Sequence, residues 1–317
     1  MFGQFSASQW THGVPAPQPA FECAPQGEWK KAAFPIPHDE SSSAPVSFSI
    51  LSWNIDFMRP LADERMKVAL SHLRSLVDQS VTHPSIIMLN EMVDSDLDLI
   101  QSEDWIRRDY RITDNSTQHW ESDYGTLILI PKSIPIKTVF RVHYSQTGMG
   151  RDALFVDISL PQDKTLRICS THLESLVANP PVRPAQLAEA AKFMHEADAG
   201  ILGGDLNAIQ PFDKTLHLEN DLRDAYLETG GQEDAEAGMT WGQMAGTWQR
   251  DKFGLTRMDK LLFCGGMEVE SFETFGMDLE VEDEVGREQL KALVGMEKGW
   301  ITDHLGVKAD FRLVFSD

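Results

Sequence analysis

The strongest constraint on the fold of this chain is a set of short apolar runs that each stop at a carboxylate, an amide or an imidazole. Val46 to Asn54 ends in an amide, with Asp56 two residues on, and the apolar run Ser85 to Asn90 meets Glu91. Leu166 to Thr171 leads into His172 and Glu174, and Ala199 to Leu202 passes through Gly203-Gly204 to Asp205 and Asn207. Asp303-His304 stands just before the apolar positions Leu305, Val307, Ala309 and Phe311. Runs of this kind, bounded by Gly, Pro or polar residues, are strand signals. One polar residue at a strand end is ordinarily a cap or a solvated charge. Five such ends on separate strands point to one cleft, because strand ends in an α/β sandwich converge.

Between these runs the apolar spacing turns helical. Met66, Leu70, Leu73, Leu76 and Val77 predict a helix over 64–79, Asp94 to Gln101 resembles a capped helix start, and Leu187, Ala190, Ala191 and Met194 predict a helix over 183–196. The middle of the chain is strand-rich, with Gly125 to Ile130, Lys137 to His143 and Ala153 to Leu160, joined by hairpin-like turns at Pro131-Lys132 and Gln162-Asp163-Lys164. Further strands are expected at Arg257 to Phe263 and Leu305 to Leu313, giving an α/β fold with a mixed sheet. The acidic run Asp278 to Glu288 reads as a solvated loop. Residues 1–45, rich in Pro and closing on Ser41-Ser42-Ser43, read as a mostly disordered or loosely draped, poorly ordered extension to one catalytic domain over 46–317.

Composition narrows the function. A net charge of −21, with Lys30-Lys31 and Arg107-Arg108 as the basic clusters, argues against tracking long duplexes through phosphate contacts. No apolar run approaches the roughly 20 residues of a membrane helix, and Met1 to Trp10 lacks the charge and apolar pattern of a secretory signal. An intracellular monomer, nuclear or cytoplasmic, is expected. Cys23, Cys169 and Cys264 are widely spaced, which predicts free thiols and neither a disulfide framework nor a structural zinc site.

The polar strand ends contain the parts that phosphodiester hydrolysis needs: a metal to neutralise the phosphate, an oriented water, and donors for charge building on phosphorus. Glu91 and Asp56, beside Asn54, are hard oxygen donors suited to Mg²⁺ or Mn²⁺. Asp205 with Asn207 is placed to orient water, while His172, His304 and Asp303 are candidates for stabilising the transition state. Asp259 either fixes the tautomer of His304 or pairs with its neighbours Arg257 and Lys260.

The segments Leu51-Ser52-Trp53-Asn54-Ile55-Asp56, Leu89-Asn90-Glu91, Ser170-Thr171-His172-Leu173-Glu174-Ser175, Gly204-Asp205-Leu206-Asn207, Arg257-Met258-Asp259-Lys260 and Thr302-Asp303-His304-Leu305-Gly306 resemble, in order, those of the endonuclease/exonuclease/phosphatase superfamily. The resemblance implies a four-layer α/β sandwich: two packed mixed sheets flanked by helices. Within the superfamily the chain is most similar to the 5′-tyrosyl-DNA phosphodiesterase branch. The likeness rests on Ser52 to Asp56, Gly148-Met149-Gly150-Arg151, the His172 to Ser175 box and Thr240-Trp241. That likeness implies a Mg²⁺-dependent enzyme whose partner is a DNA 5′ end bearing a tyrosyl adduct, with Ser175, Trp241, Arg151 and Tyr124 as substrate residues. Trp241 also reads as simple core packing. Two positions depart from the branch: Ala208-Ile209-Gln210-Pro211 stands where it carries a substrate Arg, and Phe57 follows Asp56 where Gly is usual. A lipid or small-molecule phosphodiester is the alternative substrate.

Overall fold

A computed structural model describes residues 10–33, 46–80 and 83–314. Two mixed sheets stack on each other. The eight-stranded sheet runs Met267–Phe275, Gly306–Leu313, Ser47–Asn54, Ser85–Met92, Gly125–Pro131, Tyr110–Ile112, Phe21–Cys23, Trp29–Lys31. The seven-stranded sheet runs Ala16–Pro17, Ile136–His143, Asp152–Ser159, Thr165–His172, Ala199–Asp205, Asp259–Gly265, Arg223–Asp224.

Each sheet holds one parallel pair, and both are built alike. Ser47–Asn54 crosses through the helix Ala62–Gln79 to Ser85–Met92, and Thr165–His172 crosses through the helix Arg183–Met194 to Ala199–Asp205. Parallel strands need such a crossover, and their two buried faces explain why they read as continuous apolar runs. Phe48, Ile50, Ile86 and Met88 pack between the sheets against Leu154, Val156, Ile168, Ile201 and Phe263. Leu51, Trp53, Ile87 and Leu89 face outward onto Met66, Leu70 and Leu73 of the first helix. On the opposite side Phe155, Cys169 and Leu202 meet Leu187, Ala190 and Met194. Burying each large side chain of this kind contributes about 1.5 to 3 kcal/mol.

Three features differ from the sequence reading. Residues 16–31, expected as part of a loose extension, supply three short strands to the two sheets, whereas 1–9 and 34–45 lie outside the described residues. Pro17 is accommodated because Ala16–Pro17 is an edge strand, where a missing N–H costs nothing. The acidic run is no simple loop: Asp283 accepts from the Gly286 N–H and caps the helix Glu284–Val294, and Asp278 accepts from Trp300 Nε1. The strand Met267–Phe275, which was not anticipated, pairs with Gly306–Leu313 across a bulge near Val269 and Ser271. The three cysteines are free. Among the described residues no helix is long and apolar enough to cross a membrane.

Register decides where the polar ends go. Asn54 pairs with Asn90 in one sheet, and in the other His172 pairs with Asp205, itself opposite Asp259. Gly306–Leu313 runs antiparallel to Ser47–Asn54, so Asp303-His304 at its start arrives beside Asn54. Gly204 makes the close strand approach possible. It has φ +143°, and a Cβ there would lie 1.8 Å from the Thr171 carbonyl oxygen.

Candidate active site

The carboxyl ends of the two parallel pairs open into one pocket, the usual place for a ligand in such sheets. Asp56, Glu91 and Asn207 all turn there with positive φ (56°, 62° and 48°). Non-glycine residues rarely adopt this conformation, and it clusters at functional sites.

Asp205 is at the centre. Its Oδ2 accepts from Asn54 Nδ2 at 3.0 Å and lies 3.3 Å from His172 Nε2 and 3.8 Å from His304 Nε2. Its Oδ1 accepts from the Asn207 N–H at 2.8 Å, and its own N–H donates to Asn90 Oδ1 at 2.9 Å. Burial opposes the anion, yet His304, His172 and the Asn207 N–H hold the carboxyl well below the usual range. Asn207 donates its side-chain amide to the Leu173 carbonyl at 3.0 Å, which fixes the loop after the strand.

The two histidines sit in opposite surroundings. An Arg151 Nη1 contacts His172 Nδ1, and because a guanidinium only donates, Nδ1 accepts and Nε2 carries the proton toward Asp205. Burial and the Arg151 charge hold this ring's pKa at about 4, against the pull of Asp205. His304 Nδ1 instead meets Asp259 Oδ2 at 2.8 Å, and its Nε2 faces Asp205 and Asp303 Oδ1, the latter at 3.9 Å. Burial disfavours its charged form, but Asp259 and Asp205 together outweigh that and raise it well above the ordinary value. Asp259 therefore orients His304; Arg257 and Lys260 pair with Glu233.

Glu91 Oε1 accepts from Asn54 Nδ2 at 3.2 Å and Oε2 from the Phe57 N–H at 2.9 Å. Each oxygen thus has acceptor capacity left. Glu91, His172 and Asp205 place one ligand atom each within 4.8 Å of one another, as do Asp205, Asp259 and His304. The second set is an acid–imidazolium pair, and in the first His172 has a proton on Nε2 and a guanidinium at Nδ1. The donors left are carboxylate oxygens, which fit a hard cation such as Mg²⁺ or Mn²⁺ that completes its shell with water and phosphate. Burial pushes Glu91 upward, as expected of a carboxylate gathered with others where a cation would compensate. Asp56, expected beside Glu91 as a metal ligand, has one protein partner on each oxygen, as Glu91 does. Its Oδ1 accepts from the Met58 N–H at 3.0 Å and its Oδ2 pairs with Arg59, which also reaches Asp303 at 3.4 Å. Burial and Asp303 push Asp56 up to about 7 despite Arg59.

The other expected substrate residues are near but not all open. Arg151 lies 5.1 Å from the centre of the Tyr124 ring, and both flank His172. Ser175 is half-buried against Met149, its Oγ 3.3 Å from the sulfur. Trp241 is 7% exposed and packs with Ala245 and Met258, so it is a core residue. It also donates from Nε1 to Asp303 Oδ2 at 2.9 Å, and with Arg59 it holds that carboxyl below its usual range against burial. Glu174 accepts from the Gly148 N–H at 2.9 Å and Thr147 Oγ1 at 3.1 Å, tying down the loop before Arg151.

Two arginines were not anticipated. Arg59 bridges Asp56 and Asp303, as above. Arg65, 1% exposed, donates to the carbonyls of Pro60, Ile55, Ile301, Asp56 and Arg59 and so fixes the loop between Asn54 and the first helix. Arg65 shares the buried helix face with Met66 and Ala69, although apolar spacing alone does not mark an Arg as buried.

Two docked mixed sheets with acid, amide and imidazole groups at their joint mouth define a phosphoesterase-type fold. The Endonuclease/Exonuclease/phosphatase family model matches residues 51–304, and the chain belongs to that family. It is thus a hydrolase acting on phosphodiester bonds. Solved structures with a similar fold include TDP2 from Danio rerio complexed with a single-strand DNA product, at 18% identity and TM-score 0.63, covering 84% of this chain and 100% of that one. Truncated TDP2 from Caenorhabditis elegans aligns at 23% identity and TM-score 0.60, covering 86% and 100%. The human Nocturnin catalytic domain with bound sulfate aligns at 16% and TM-score 0.57, covering 86% and 96%. No curated protein sequence matches the chain.

Proposed function

We propose that this chain is a Mg²⁺- or Mn²⁺-dependent phosphodiesterase that hydrolyses a 5′-phosphotyrosyl or similar terminal DNA phosphodiester by direct attack of water, a DNA-repair activity. The observation that carries this reading is Asp205, buried at the meeting of the two sheets with Asn54 Nδ2 at 3.0 Å, His172 Nε2 at 3.3 Å and His304 Nε2 at 3.8 Å. Asp205 and Asn207 would orient the attacking water, with Asp205 accepting its proton. His304, charged and braced by Asp259, would meet the phosphate oxygen on which negative charge grows, and His172 would donate a neutral hydrogen bond from Nε2. Asn54 holds Glu91 and Asp205 in register, and Glu91 would be the protein's ligand for the metal. When bound, that ion neutralises phosphate charge and polarises the ester.

Three points favour a tyrosyl substrate. A phenol, with a pKa of about 10, leaves far more easily than a sugar alcohol. The folds compared above include two of TDP2, one of them with a single-strand DNA product. Arg151 and Tyr124 stand beside His172, where a leaving group would emerge. The charge of −21 and the absence of Arg in Ala208 to Pro211 support a second reading, a lipid or small-molecule phosphodiester on the same machinery.

Turnover of 5′-tyrosyl-DNA, abasic-site DNA and phospholipid, side by side in Mg²⁺, separates the two. The first reading expects the tyrosyl substrate fastest, with rates falling steeply in salt. Asp205→Ala and Glu91→Ala should each lower kcat by about 10³-fold. Near-wild-type turnover by either variant overturns the mechanism.

A further inference from the structure

Phe57 stands in the strained turn between Asn54 and the first helix, half-buried, with Met58 beside it exposed. Its backbone N–H is the donor to Glu91 Oε2, and Arg65 grips the carbonyls of Ile55, Asp56 and Arg59 around it. The ring is thereby fixed at its root. It lies flat on Tyr124, with centroids 3.9 Å apart and planes at 15°. Free aromatic pairs prefer offset or edge-on contacts at about 4.5 to 7 Å, so the surrounding loops hold these two closer and flatter than the rings themselves favour.

The guanidinium carbon of Arg151 lies 5.1 Å from the centre of the same Tyr124 ring. Phe57 thus covers one face of Tyr124, and the Arg151 guanidinium lies against the same ring. Phe57 itself is half-buried with its backbone N–H on Glu91, so it offers aromatic surface beside that carboxylate.

We propose that Phe57 is a specificity-determining residue whose outer face stacks on a planar aromatic group leaving from the phosphate, extending the Arg151–Tyr124–Phe57 stack by one ring. The proposal deepens the phosphodiesterase reading and rests on it. Tyr124 becomes a positioning residue that presents Phe57 and steadies Arg151.

The test compares two esters of thymidine 5′-phosphate with similarly acidic leaving groups, one 4-chlorophenyl and one hexafluoroisopropyl, in wild type and in Phe57→Ala, Phe57→Leu and Phe57→Trp. Stacking of this kind contributes about 0.5 to 1.5 kcal/mol, equivalent to about a two- to tenfold change. Ala and Leu should lose that factor in kcat/KM for the aryl ester, chiefly through KM, and keep the fluoroalkyl ester within about twofold; Trp should retain the aryl preference. The Leu variant preserves apolar bulk and guards against simple loop collapse. Equal losses on both esters would mean that Phe57 only holds the Glu91 loop, and no loss on either would leave it without a role; each overturns the proposal. Calorimetric binding of phenyl phosphate against methyl phosphate reads the same preference without turnover. An aryl preference in wild type that vanishes in Phe57→Ala supports the stack even where neither ester is cleaved, whereas equal affinities refute it. Failure of the catalytic reading appears instead as wild-type inactivity on both esters.

Discussion

His172 and His304 approach the same carboxylate oxygen of Asp205 from two strand systems, yet the pKa of one ring is held down and that of the other is raised. Burial alone would neutralise both. The difference comes from the second nitrogen. Arg151 faces Nδ1 of His172 and Asp259 faces Nδ1 of His304, at equivalent positions on rings that are otherwise similarly enclosed. A pocket built this way holds a neutral donor and a fixed cation at one pH, the complement that a phosphate gaining negative charge requires.

Replacing the cation should do the most damage. His304→Gln keeps a donor but removes the charge, and kcat should fall by about 10³-fold, against about 10²-fold for His172→Gln. Steady-state kinetics on one substrate checks the ordering, and equal losses would break the contrast between the rings. Arg151→Met should come next. Without the guanidinium the pKa of His172 rises from about 4 toward its ordinary 6.5, and the acid limb of the pH–rate profile moves up with it. An unmoved limb would show that burial alone keeps the ring neutral.

The smallest effect is on stability. The folded pKa of His172 is depressed, so below 6.5 the unfolded chain binds a proton that the native ring refuses, and stability falls as pH drops from 6.5 to about 4. His172→Gln should flatten that slope, by on the order of 1 to 3 kcal/mol across the window in urea titrations. His304 has the opposite sign. Its raised folded pKa contributes stability that is complete below 6.5 and is lost as pH climbs through the raised value, so His304→Gln should lose its largest increment on the acid side.

The convergence of these polar side chains was legible in the sequence because a polar residue after an apolar run is displayed at a strand end by register alone. Asn54, Glu91, His172, Asp205, Asn207, Asp259, Asp303 and His304 all reach the pocket in that way. Residues that act through long reach or backbone were not legible. Arg59 has no neighbours that mark it, and Arg65 sits in a helical pattern where a lone Arg is usually solvated. Trp241 was left between core and groove, and its burial with one polar contact to Asp303 gives it a share in positioning. Alternation over Met267, Val269 and Phe272 would have marked the strand Met267–Phe275, but the bulge breaks the period. Proline content pointed to looseness in the first 45 residues, and edge pairing defeated that inference over 16–31.

The pocket lies across the seam of the sandwich: Asn54 and Glu91 come from one sheet and His172, Asp205 and Asp259 from the other. Neither layer alone owns a complete set of reacting groups. Any molecule that engages both sides therefore acts as a rivet through the seam, and slippage of one layer over the other by a single residue would silence the enzyme while leaving each layer's own hydrogen bonds intact.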